Sequence, residues 1–334
     1  MSKYDLVILV NEKHKKVFEP FEGEASIVVC SDDTGVLKAV WKAFTCCFRF
    51  RVKYVFPLMP FGFLKLFGIT PVSWIADFQH CHYPEFFEQE EVDKRNSNFK
   101  KIASSGNPLV LSSNDAKEDL EQYFRAGRPG VHVVHFSSFI DDELGKLTPE
   151  HESEVLSGFG LEKHKYIAVC NQFWKHKNHI VVLKAIGLLA DRDTGSDLKV
   201  VFTGEPSDRR NPEYMDELKK LMDALGDRVQ VLGFIDRRDQ LCIMKYAGFI
   251  IQPSLFEGWG TVVEDAKILG KRILLSDIPV HREQMNENCI LFDPKDPESL
   301  ADAVIRMSKE GFAQDPASCD MTAEYAKALT DVFV

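Results

Sequence analysis

Two doubly wound α/β domains are the architecture this sequence predicts, and three observations carry it. Short β-branched runs alternate with amphipathic helical stretches almost throughout, which builds parallel sheets covered on both faces. The 334 residues exceed what one hydrophobic core usually organises, so two domains are expected. One polar, acidic stretch, DDELGKLTPEHESE, has no strand signal and reads as the joint between them.

The elements follow in order. Expected strands in the first half are YDLVILV, SIVVC, VKYVF, PVSWIA, PLVLSS and VHVVHF; in the second, KYIAVCN, LKVVFTG, VQVLGF, GFIIQPS, RILLS and CILF. Between them, HIVVLKAIGLLADR, MDELKKLMDALG and RRDQLCIMKYA carry apolar residues at three- and four-residue spacing, the mark of helices packed on one face. Asp-Pro and Pro-Glu pairs open the later helices. The division expected is a reduced first domain at 1–140, a linker with a short helix at 141–163, a second domain at 164–310, and a C-terminal helix at 311–334 that returns toward the first domain. The opening strand, VILVNEKHKK, is followed by no glycine-rich loop, so the first βα unit reads as lost or replaced.

Composition narrows the class. Apolar residues are 45% and charged residues 28%, ordinary for a globular protein in water. The start, MSKYDLVILVNEKHKK, reads as a strand flanked by charge rather than a secretory leader. The longest uncharged apolar run, Tyr54 to Leu64, holds two prolines and is too short to span a bilayer. Eight cysteines without C-x-x-C spacing read as free thiols in a reducing cytoplasm. A net charge of −10 argues against a nucleic-acid partner. The charge is uneven, however: between Asp33 and Asp77 there is no acid, and six basic residues stand among ten aromatics. That window, residues 34–76, suits either peripheral contact with the anionic inner face of the cell membrane or a core whose Lys and Arg snorkel outward.

Three stretches carry chemistry. In FEGWGTVVEDAKILG, Gly258 and Gly260 lie between a strand and a helix, where main chain can approach a ligand closely and helix amides can hold an anion. Glu257 can accept hydrogen bonds from sugar hydroxyls, and Glu264 and Asp265 point about 100° apart on the helix, so one faces the ligand. A tight turn with solvated acids is the plainer alternative. In CNQFWKHKNH, Lys177 follows a strand and can pair with a diphosphate; without a nearby acid or thiolate, a metal site is not expected there. In WIADFQHCHYPEFF, a histidine at a strand end can donate to a sugar or act as acid and base, or be structural.

Taken together, QPS, FEGWGTVVEDA and LGKRILLSDIP resemble the nucleotide-sugar loop of GT-B fold retaining glycosyltransferases of family 4. The family pattern is E-G-x-G with a second acid eight residues after the first; here that acid is Asp265, one methylene shorter than the usual Glu. Lys177-Asn178 matches the family's Lys, while its Arg position falls on Asn171 or Gln172. The resemblance implies a GT-B fold with two Rossmann-like domains facing a cleft. It implies a nucleotide-diphosphate sugar as co-substrate, with no further cofactor and no metal. A sugar would pass with retention to a glycan or lipid-linked acceptor.

By the same resemblance His80, Glu257 and Lys177 are the catalytic residues. Gly258, Trp259, Gly260, Thr261, Asp265, Asn178, Gly204, Glu205 and Phe234 hold the donor, with Asp265 on the ribose and Gly233-Phe234 near the base. D-x-D, the metal-assisted signature, occurs only in DRDTGSD, where Asp191 closes a helix. A non-catalytic nucleotide-sugar binding protein and a GT-B epimerase stay open as alternatives.

Overall fold

The computed structural model describes residues 5–23, 25–30, 36–125, 130–191, 198–309 and 321–333. Most of the DRDTGSD string and the first residues of the expected C-terminal segment lie outside them. The chain divides into two compact units, residues 1–74 with 105–108, and residues 75–104 with 109–334.

In the first unit, β1 (Leu6–Asn11) pairs in parallel with β2 (Ala25–Cys30), in register from Leu6 opposite Ala25 to Asn11 opposite Cys30. The crossover is short: α1 (Lys15–Phe18) is one turn, flanked by two 3-10 turns. So the opening strand pairs as in a βα unit, and what is reduced is the helix. Next come α2 (Val36–Arg49), β3 (Tyr54–Val55) and β4 (Thr70–Pro71), the last two paired in parallel. Cys47, Leu64 and Ile69 form a small core, and the rings of Phe44, Phe48 and Phe67 meet edge to face above it. Much apolar surface stays outside: Trp41 is 68% exposed and Leu66 84%. β5 (Ser73–Ile75) crosses the boundary between the units.

The second unit opens with α3 (Gln79–His82), α4 (Gln89–Ser104), β6 (Leu109–Leu111), α5 (Asn114–Phe124) and β7 (Val131–Val133), with β6 and β7 parallel. The stretch expected to be a linker carries two helices, α6 (Asp141–Leu144) and α7 (Pro149–Gly158), and α7 buries Val155 and Leu156. Then strands and helices alternate: β8 (Tyr166–Cys170), α8 (His179–Asp191), β9 (Lys199–Thr203), α9 (Pro212–Leu225), β10 (Val229–Val231), α10 (Arg237–Tyr246) and β11 (Phe249–Gln252). After them come α11 (Thr261–Ile268), β12 (Ile273–Ser276), α12 (Pro279–Gln284), β13 (Cys289–Phe292), α13 (Pro297–Lys309) and α14 (Thr322–Asp331). Among the described residues no helix is long and apolar enough to cross a membrane.

β8 to β13 form one parallel sheet in the order β10-β9-β8-β11-β12-β13. Side chains alternate across it, as a two-residue period requires. Ile167 and Val169 of β8 join the core under α8, α9 and α13, with Leu183, Leu218 and Val304. Tyr166, Ala168 and Cys170 join the core under α7, α10 and α11, with Leu156, Ile243 and Val263. Each fully buried Leu, Ile, Val or Phe in these layers contributes about 1.5–3 kcal/mol. From β8 the chain winds outward to β10, then returns beside β8 at β11 and winds the other way. Ligands of such sheets bind at that reversal, beyond the carboxyl ends of the strands.

Candidate active site

Lys177 and Glu257 meet at the reversal. Lys177 closes the 3-10 turn Lys175–Lys177 after β8, and Glu257 lies in the loop after β11. Asn178, in the left-handed region at φ 57°, fixes the turn by donating from Nδ2 to the carbonyls of Pro253 at 3.0 Å and Pro294 at 2.8 Å. Lys177 Nζ then donates to Glu257 Oε1 at 2.7 Å, and the same oxygen accepts from Ser254 Oγ at 2.6 Å and Gln252 Nε2 at 2.8 Å. Burial would raise the Glu257 carboxyl; the Lys177 ammonium leads the groups that overcome it and bring it down to about 2. One oxygen is therefore saturated, while Oε2 has no partner among the described residues. That carboxylate is 9% exposed and borders a cavity of about 490 Å3.

The two glycines beside it serve different neighbours. A Cβ on Gly258 would sit 2.4 Å from the carbonyl oxygen of Ala76, so the loop lies directly on the main chain at 76–77. Gly260 caps α11, and Gln284 clamps it, Oε1 accepting from its amide at 3.1 Å and Nε2 donating to its carbonyl at 3.0 Å. The amides left without an intrahelical carbonyl at this helix start are those of Thr261 and Val262. Trp259 stacks on His135 at 4.3 Å, and its Nε1 donates to the Phe136 carbonyl at 2.8 Å.

Both acids of α11 are buried and paired. Asp265, 1% exposed, accepts from Arg237 Nη2 at 2.6 Å and from Ser138 Oγ. Glu264 pairs with Lys267 at 3.0 Å and accepts from Gln284 Nε2 at 2.7 Å. Neither partner set is shared with Lys177 and Glu257.

The ends of β8, β9 and β10 are stitched together. Gly204, at φ 112°, donates to the Gly233 carbonyl at 2.8 Å, and a Cβ there would stand 2.2 Å from the Asn171 carbonyl oxygen. The Glu205 amide donates to Gln172 Oε1 at 2.9 Å. Phe234, beyond β10, is 75% exposed. Asn171, one of the two positions where the resemblance expects Arg, exchanges amide hydrogen bonds with Gln252 at 2.9 and 3.2 Å, tying β8 to β11 with neutral groups.

His80 and His82 separate sharply. His80 is buried, with Nε2 3.1 Å from Asn96 Oδ1, and burial holds its pKa below the ordinary value. It has no contact with Lys177 or Glu257 among its hydrogen bonds and ring contacts. His82 donates from Nε2 to Asp119 at 2.8 Å, a bond that raises its pKa, and its ring lies 5.2 Å from that of Phe256. With Tyr83, Asp115 and Lys295 it lines the cavity, and sequence reading assigned none of these four. The only signal was H-x-H itself: on a one-turn helix the two rings point about 200° apart, and the sequence does not say which side meets the loop.

Three further histidines are buried and neutral, and their effect is measurable. Burial brings His176 and His281 down to about 4 and His179 to about 3. Their neutral forms are favoured in the fold, so the unfolded chain takes up more protons below pH 6.5 and stability falls as pH falls toward 4. His80 adds to this, while His82 and Asp115, the latter pushed up to about 6 by burial and Asp119, act in the opposite sense. Urea unfolding is expected to show the protein roughly 3 kcal/mol less stable at pH 5.5 than at pH 7.5. A flat profile over that window would mean the three imidazoles are not held neutral.

Comparison with known proteins bears on the family and the fold. The family model described as Glycosyl transferases group 1 matches residues 157–328. A curated relative, D-inositol 3-phosphate glycosyltransferase of Corynebacterium glutamicum, is 23% identical over 230 residues, covering 66% of this chain and 54% of the relative. The O-antigen biosynthesis glycosyltransferase WclY of Escherichia coli is 31% identical over 85 residues, 25% of this chain and 24% of that protein. This chain thus spans about half the length of the corynebacterial relative it matches.

Among solved structures, HepE of Anabaena in complex with UDP and glucose superposes with a TM-score of 0.68 at 17% identity, covering 96% of this chain and 88% of that one. Sucrose-phosphate synthase of Thermosynechococcus elongatus gives 0.70 at 15% identity, covering 99% and 98%. These likenesses show the GT-B fold. With the family model covering more than half of its length, the chain belongs to the group 1 glycosyl transferases.

Proposed function

We propose that this chain is a retaining glycosyltransferase that moves a sugar from a nucleotide-diphosphate donor to a glycan or lipid-linked acceptor without a metal ion. The observation that carries the reading is Glu257, pinned through one oxygen by Lys177 at the sheet's reversal, with its other oxygen open to a ligand. Residues 164–310 hold the donor. Lys177, the main chain of Gly258 and the amides of Thr261 and Val262 take the diphosphate, Gly260 serves as the clamped helix cap beside it, and fixed donors there stabilise the departing charge. Glu257 takes the sugar hydroxyls, Asp265 the ribose, and Asn178 and Trp259 hold the loops in place. Gly204, Glu205 and Phe234 border the nucleotide base, and His80 serves the donor sugar from α3, the one-turn helix that follows β5. In the transfer, the bond from the anomeric carbon to the diphosphate oxygen breaks. The acceptor hydroxyl oxygen bonds to that carbon on the same face, and its proton passes to the departing phosphate oxygen.

HepE was crystallised with UDP and glucose and, in another structure, with UDP-glucose, so uridine donors head the test. Thermal shift with UDP- and GDP-sugars, then product NMR with and without EDTA, is expected to give a chelator-insensitive product that keeps the donor's anomeric configuration. Donor binding without turnover would make the protein a nucleotide-sugar binder; an altered sugar formed without an acceptor would make it an epimerase.

The basic aromatic window supports peripheral contact with the inner face of the membrane. Trp41, Phe61, Phe63 and Leu66 are exposed, and Arg49, Arg51, Lys53 and Lys65 share the same stretch, which contains no acid. The side chains of residues 36–40 lie outside the described ones. Flotation with phosphatidylglycerol vesicles is expected to carry the protein up, and Trp41→Ser with Leu66→Ser to weaken that several-fold; equal flotation of the variant counts against the contact.

A further inference from the structure

The cavity beside Glu257 has chemistry that the donor uses only in part. It lies beyond the ends of β11, β12 and β13, the opposite flank of the sheet from the β8–β10 loops expected at the nucleotide. About 490 Å3 is within the range of small-molecule sites. Tyr83, Phe256, Ile278 and Pro294 give it apolar walls. Four carboxylates line it, Asp115, Glu257, Asp277 and Asp293, against one lysine, Lys295, and His82.

Several of these groups are already engaged. Asp277 pairs with Arg282 at 2.6 Å, His82 is taken by Asp119, and Asp293 Oδ1 accepts from the Lys295 amide at 2.8 Å. Four polar positions then have no partner among the described residues: the Asp115 carboxylate, Glu257 Oε2, Asp293 Oδ2 and Lys295 Nζ. Glu257 is the decisive one, because it is nine-tenths buried and its orientation is fixed by three donors.

An ionised carboxylate only accepts hydrogen bonds, so three of them beside apolar walls are complementary to a ring carrying several hydroxyls. A phosphate or carboxylate ligand would meet like charge there and lose affinity. We infer that this cavity seats the acceptor, an uncharged saccharide whose hydroxyls donate to Glu257, Asp115 and Asp293 while a less polar ring face lies against Tyr83 and Phe256. The inference rests on the transferase reading above. Glu257 Oε2 then accepts from both sugars, one hydroxyl of the donor's and one of the acceptor's, which puts the two reacting atoms near one carboxylate.

The test uses the full chain with UDP-glucose present and two probe sets: methyl mannoside, methyl rhamnoside and N-acetylglucosamine, and the 1- or 6-phosphates of the same sugars. Saturation-transfer NMR is expected to detect the neutral set and not the phosphates. Asp115→Asn and, separately, Asp293→Asn are expected to weaken neutral-sugar binding about ten- to a hundredfold, with the effect on the acceptor KM rather than the donor KM. Signals from the phosphates alone, none from any neutral sugar, or loss falling on the donor KM would overturn the assignment. Asp115-dependent saccharide binding without turnover of any donor would instead sink the transferase reading and leave the saccharide site standing.

Discussion

Glu257→Gln is expected to slow sugar transfer about ten- to a hundredfold or more while the protein stays folded. The replacement keeps the shape and one carbonyl oxygen for Lys177, Ser254 and Gln252, so the loop keeps its hydrogen-bond frame. What goes is the charge that a sugar hydroxyl meets at Oε2. A charge-assisted hydrogen bond contributes roughly 1.5–3 kcal/mol, and every 1.36 kcal/mol lost from the transition state is tenfold in rate. Glu257→Ala should lose at least as much, and would also strand Lys177, whose side chain is mostly buried.

The partner substitution separates chemistry from folding. Lys177→Met leaves a buried carboxylate with no countercharge, at a cost of about 3–5 kcal/mol. Adding Glu257→Gln to it should recover much of that stability and none of the activity. Urea unfolding and kcat/KM on the four proteins read the two effects apart. A Glu257→Gln enzyme with unchanged kcat/KM would remove this residue from the site.

How much of this was legible beforehand depends on how local the cause is. β8, β11 and β12 are buried along their whole length, so they read as unbroken apolar runs, and their alternation with periodic helices gave the parallel sheet directly. The one-turn crossover after β1 was not legible, because four residues are too few to show a helical period. The meeting of Lys177 and Glu257 was expected only through resemblance, since they are 80 residues apart.

Other partners had no sequence signal at all. Gln284 clamps Gly260 from 24 residues away, and Arg237 and Ser138 reach Asp265 from different elements. The cavity is the clearest case: His82 on α3, Asp115 on α5 and Lys295 after β13 stand far apart in the sequence, and only the fold brings them to one wall.

Gly258→Ala tests why the loop contains glycine. If the residue were there only for a ligand to approach, an added methyl group would weaken donor binding and leave the apoprotein unchanged. The geometry says otherwise. The new Cβ would lie 2.4 Å from the Ala76 carbonyl oxygen and 3.0 Å from Asp77 Cβ, and a carbonyl in a strand-end loop cannot swing aside as a side-chain tip can. The substitution is therefore expected to destabilise the apoprotein by about 1–3 kcal/mol or more, and to push the loop away from the main chain leading into α3, lowering activity along with stability.

Gly260→Ala is the control, because its nearest obstacles are the end of the Gln284 side chain at 3.0 Å and a methyl group of Val263 at 3.1 Å. Both can shift by a few tenths of an ångström, so its loss of stability should be well under half that of Gly258→Ala. Equal stability of the two variants in urea would place the closest packing of this loop somewhere other than against Ala76.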